Sequence, residues 1–181
     1  MNFAGANEGA NHQIKDISVW VLGQSVVHGS NFPPVGHFTN SVQMAVAMET
    51  CAFFLYALDR MAYRRGDDRL REAVFDTTAN QMVRTFSDMM FEAWAASPLE
   101  TIEQDCRDLF NIRQSEYGGA LRLIGEEFRD LDSASWLAAQ NIGHAAEFGD
   151  IRVMVIHTGL VESLIAMDLA NRIKRVEQHL S

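Results

Sequence analysis

With 181 residues, 48% of them hydrophobic and 22% charged, the chain has the size and make-up of one globular domain. Fifteen basic against twenty-four acidic side chains leave a net charge of −9, a sign that opposes nucleic-acid phosphates and anionic lipid surfaces. The most basic stretch, "RRGDDRLR" at Arg64–Arg71, is diluted by two aspartates, so no nucleic-acid partner is expected.

Residues 1–13 lack a basic stretch leading into an apolar one and do not read as a secretory signal. Their Gly, Asn and Ala content suggests a flexible N-terminal arm, followed by a single helical domain over 14–181. Ile14–Val27 is rich in β-branched residues, but its length favours a helix. "HGSNFPPVGHF", His28–Phe38, is a loop, because adjacent prolines and two glycines break regular structure. The next helix starts after Thr39 or Asn40, runs to about Arg65 and stops at Gly66. A further helix opens at Asp67 or Asp68 and continues to Ala95. Its Phe75, Ala79, Met82, Phe86, Met89 and Ala93 recur at three- and four-residue steps as a core stripe, opposite a polar stripe of Asn80, Arg84 and Asp88. The short link at Gly66 makes these two, Val42–Arg65 and Asp68–Ala95, an antiparallel long-helix hairpin.

"SPLE" at Ser97–Glu100 reads as a helix start, with Ser97 capping, Pro98 in the first helical position and Glu100 completing a capping box. That helix carries Ile102, Cys106, Leu109 and Ile112 on one face and is interrupted at Gly118-Gly119, with a shorter segment, Ala120–Leu131, after it. Asp132 can cap the next helix, Ser133–Phe148, and a last helix spans Ile151–His179. The expected fold is therefore all-α: a single-domain bundle of about six or seven helices.

The stretch "VQMAVAMETCAFFLYALDR", Val42–Arg60, raises the question of a membrane span. Its first seventeen residues would reach only ~25 Å as a helix, at the lower limit for a bilayer core of ~30 Å. Glu49 near its middle costs roughly 2.5–3.5 kcal/mol in lipid and cancels most of the gain from the apolar neighbours. A central bundle helix, or one shared with a subunit interface, is the simpler reading, and no membrane partner is expected. "IRVMVIHTGLVESLIAM", Ile151–Met167, is almost as apolar. One such helix can form the bundle centre, and the other then needs a second surface.

A buried, unpaired Glu49 would cost several kcal/mol, so it must find a partner, take up a proton or reach water. Reflection about Gly66 sets Arg84 at its height, but on the polar stripe. The partners that remain are Tyr56, a histidine, or a basic group on another helix or subunit. His157 interrupts the apolar run of the last helix, and His144 and Glu147, three apart, share a helix face. Such a histidine–carboxylate pair can hold one imidazole tautomer. No Glu-x-x-His, His-x-x-x-His, C-x-x-C, P-loop, G-x-G-x-x-G or G-x-S-x-G pattern occurs, so no metal, cofactor or catalytic residue is assigned. Cys51 and Cys106 read as reduced, buried thiols of a cytoplasmic protein. Eight of the nine methionines fall on the three most apolar helices, where they serve as adaptable packing or line a deformable groove.

Two functional expectations follow. The leading one is an acidic, non-enzymatic helical protein that works by self-association, as a homodimer or other homo-oligomer, or by binding a protein partner as a regulator or adaptor. The alternative is a small-molecule-binding or catalytic bundle whose polar pocket gathers Glu49, Tyr56, His144 and His157 in one cavity.

Overall fold

A computed structural model describes residues 3–31, 40–65, 68–94, 97–124, 132–146 and 150–180, without the side chains of residues 3–7, 31, 40 and 150–152. The fold is an all-α bundle. The helices are α1 (Phe3–Asn31), α2 (Asn40–Tyr63), α3 (Asp68–Arg71), α4 (Thr77–Trp94), α5 (Leu99–Gly118), α6 (Ala134–Ala145), α7 (Asp150–Met167) and α8 (Leu169–Leu180). Between α3 and α4 runs a π-helical turn, Glu72–Asp76. Among the described residues β-pairing is limited to one isolated bridge between Arg122 and Ser133.

The apolar stretch that raised the membrane question is the centre of the bundle. Every residue from Val46 to Leu58 is buried, because a helix apolar nearly all round must be covered on every side. α2 is packed by α1, α4, α5, α6 and α8, and by α3 and the π turn, which complete the expected hairpin. Thr50 stays in this environment by donating its hydroxyl to the Val46 carbonyl at 2.8 Å. In α4 the core stripe holds at Met82 and Phe86, while Ala93 is exposed; Asn80, Arg84 and Asp88 face solvent as expected.

Several expected boundaries are corrected. The arm expected at 1–13 is helical from Phe3: Ala10 continues the buried stripe Ile14, Ile17 and Val21 at three- and four-residue steps, and Gly9 lies against His179 of α8. The first helix also runs past His28 to Asn31, while 32–39 lie outside the described residues. Ser97 is not the cap of α5. Pro98 takes the cap position with extended backbone (ψ 143°), and its carbonyl accepts from the N–H groups of Thr101 and Ile102. On α5 the buried face is Ile102, Cys106, Phe110 and Tyr117, and Ile112 points outward.

Ala120–Ile124 is not helical. It runs beside the start of α6, with Leu121 N–H on the Asp132 carbonyl and Ala134 N–H on the Arg122 carbonyl, and residues 125–131 lie outside the described ones. α6 is capped by Ser133 rather than Asp132: the Ser133 hydroxyl accepts from Trp136 N–H at 3.2 Å. The last helix is broken in two at Asp168, whose φ of 49° is left-handed. Aspartate tolerates that conformation better than most residues, and here its carboxylate accepts the Asn171 side-chain amide at 2.9 and 3.0 Å. The break turns α8 onto α1, where Arg172 lies 4.8 Å over the Trp20 ring, and Arg65 beyond α2 meets Glu177 at 2.6 Å.

Candidate functional site

Glu49 is answered from α5. Arg113 donates through Nε and Nη2 to the two oxygens of the Glu49 carboxylate, both at 2.6 Å. This two-point geometry is the strongest form of a charge-assisted pair. The hydrogen bond it donates to Glu49 pushes the Arg113 guanidinium above its usual range. Nη1 of Arg113 reaches Glu116 at 2.8 Å, and the Asn141 amide of α6 donates to Glu116 at 3.1 Å and to the Tyr117 hydroxyl at 3.4 Å. Burial pushes the Tyr117 phenol up. A polar seam thus ties α2, α5 and α6 together, with the Glu49 carboxylate engaged at both oxygens. Arg84, at the height reflection suggested, is exposed. The sequence signal for Arg113 was its place on the helix face of Cys106, Phe110 and Tyr117, where an arginine needs an anion.

Tyr56 lies two turns further along α2. Its ring meets Tyr117 edge-on with centroids 5.6 Å apart, and its hydroxyl accepts from Arg60 Nη1 at 2.7 Å. Tyr56 and Arg60 line a cleft of about 490 Å³, walled opposite by Arg71, Phe75 and Gln114. Arg71 is paired with Asp59 at 2.5 Å, which raises its guanidinium above the usual range, and it lies 5.7 Å over the Phe75 ring.

His157 is buried elsewhere, between α7 and α6. Its Nε2 is 3.0 Å from Ser135 Oγ, which is 3.2 Å from Ser133 Oγ, and the Trp136 ring is tilted against the imidazole at 5.5 Å. Both serines are fully buried, so this chain fastens the start of α6 to α7 rather than meeting a substrate. His144 is exposed near the end of α6, and Glu147 lies outside the described residues. The structure therefore separates the candidates: Glu49 in the α2–α5 seam, Tyr56 in the cleft, His157 at the α6–α7 contact and His144 on the surface. Sequence reasoning missed His28, whose Nε2 is 2.7 Å from Ser163 Oγ of α7 and whose ring meets Phe54 edge-on. Burial lowers its pKa from 6.5 to about 4. Cys51 and Cys106 are free, buried thiols pushed up by burial. Among the described residues no three His, Cys, Asp or Glu side chains are grouped as metal ligands.

The surface feature that stands apart is α7. Two segments are long and apolar enough to cross a membrane by length and composition; the one at α2 is 72% buried, the one running from α7 into α8 only 39%. On the outer side of α7, Val155 and Ile165 are 62% and 68% exposed, with Thr158 and Glu162 also exposed between them. Thr158 donates its hydroxyl to the Met154 carbonyl at 3.1 Å, which leaves Glu162 as the charged group of the stripe. No protein-family model, curated protein or solved structure matches this chain significantly.

Proposed function

We propose that this protein is a non-catalytic, cytoplasmic helical protein that acts by association, with the outer face of α7 pairing with the same face of a second copy. The observation that carries this reading is the uneven cover of its two most apolar segments, with Val155 and Ile165 left largely exposed on α7. Burying one such side chain contributes about 1.5–3 kcal/mol when it is complete, and a two-fold contact counts each position twice. Glu162 argues for a protein cover rather than lipid: mid-bilayer an acidic residue costs about 2.5–3.5 kcal/mol, whereas a protein interface leaves it water at the rim. The absence of catalysis rests on the engagement of the reactive groups, since Glu49 is clamped by Arg113 and His157 is closed in with Ser135.

Light scattering on chromatographed protein tests this. The wild-type chain is expected at twice its 20.3 kDa mass, and a V155E/I165E variant at the single mass. Both positions are exposed in the lone chain, so the variant keeps its helical circular dichroism. Equal masses for the two proteins would overturn the proposal.

A further inference from the structure

We propose that the cleft between α2, the π turn and α5 binds a small organic monocarboxylate, received by Arg60. This site is separate from the α7 face and stands on different observations. Arg60 donates through Nη1 to the Tyr56 hydroxyl, and its guanidinium lies 5.9 Å from that ring's centroid. Among the described residues no carboxylate forms an ion pair with it, because its neighbour Asp59 is held by Arg71. The residues lining the cleft thus include two guanidinium groups and one carboxylate, and Asp68 and Asp76 also act on Arg71, which leaves Arg60 as the cation of the wall that no carboxylate pairs among the described residues.

Two donors in this wall lack acceptors: Arg60 Nε and Gln114 Nε2 are buried without a hydrogen-bond partner. Leaving such a group unpaired is costly, and nearly all buried polar groups find a partner. Both atoms are closed to solvent in the empty cleft, so an occupant reaches the Nε edge as the Arg60 side chain turns, and a carboxylate seated there supplies the missing acceptor in the fork geometry guanidinium favours. Gln114 lies in the wall shared with a second hollow of about 260 Å³, so its amide has room to turn toward an occupant.

The π turn bears on the same site. Such turns widen a helix by one residue, weaken its hydrogen bonding and recur at functional positions. This one places Phe75 in the cleft wall, while Tyr63 stands 66% exposed at the other side. Phe75 and Tyr63 offer flat apolar surfaces to the body of a ligand, and about 490 Å³ is the size of a small-molecule site. One uncompensated cation matches a monocarboxylate better than a phosphate dianion.

Benzoate is the probe, with benzamide and phenyl phosphate as comparators. Millimolar benzoate is expected to raise the melting temperature and to move the Arg60 Nε–H resonance downfield, with benzamide doing neither. R60Q should weaken benzoate binding by about tenfold or more, R60K by less, and Q114L by several-fold. Circular dichroism checks that each variant is folded; should R60Q fail that check, R60K and Q114L decide. The proposal is overturned if benzoate leaves both readouts unchanged, if benzamide matches it, if phenyl phosphate binds more tightly, or if the folded variants bind benzoate as the wild type does.

Discussion

Replacing Arg113 by Met leaves Glu49 inside the bundle with its cation gone. The Glu49 side chain is only 8% exposed and that of Arg113 21%, so solvent screens the pair weakly. Removing one partner of a buried pair costs about 3–5 kcal/mol, and the partial exposure of Arg113 places the expected loss near the lower end, about 3 kcal/mol. For a chain of this size that is a drop in melting temperature of roughly 6–12 °C. The double variant E49M/R113M removes both charges and keeps apolar volume, so it should lie within about 1 kcal/mol of wild type. The single variants and the double one therefore give a coupling of about 2 kcal/mol or more. Urea unfolding with an unchanged m-value is the assay. Additive single-variant losses, or an R113M loss under about 0.5 kcal/mol, would refute the clamp.

Three further outcomes follow from local geometry. Because burial lowers His28 to about 4, its contribution to stability is present above pH 6.5 and lost as pH falls toward 4. The loss reaches roughly 3 kcal/mol at most, and urea midpoints at pH 7 and pH 4.5 should differ more for wild type than for H28Q. A Cβ at Gly29 would sit 2.7 Å from the Gln43 backbone carbonyl, so G29A should cost about 1–3 kcal/mol where α1 crosses α2. G23A, on the same helix with nothing within 4 Å, should instead gain about 0.5–1 kcal/mol, and the opposite signs are the check in paired denaturant melts. D168A loses both the tolerance for a φ of 49° and the bond to Asn171, at about 1–3 kcal/mol, while D168N stays within about 0.5 kcal/mol; equal midpoints for the two would contradict this.

Periodicity and all-round apolarity were enough to identify α2 as a core helix and to mark Met82 and Phe86 as buried. The same reasoning misread residues 3–13 by weighing glycine and asparagine over the spacing of Ala10, Ile14, Ile17 and Val21. The π turn was not legible, because a one-residue shift of hydrogen-bond register depends on what packs against the helix. The break at Asp168 carries no proline or glycine, only a residue able to turn left-handed. Partners of buried polar groups lie far apart in the chain. Glu49 and Arg113 are 64 positions apart and Ser135 and His157 are 22, so helix faces can show that a partner is needed but not which one answers. The Tyr56 cleft likewise draws its walls from α2, the π turn and α5, and is visible only once these are packed.

The most direct test of the association account is sedimentation equilibrium of the wild-type chain over a hundredfold range of concentration. The account predicts a reversible shift from 20.3 kDa toward twice that mass, abolished by glutamate at Val155 and Ile165. A single 20.3 kDa species throughout would contradict it.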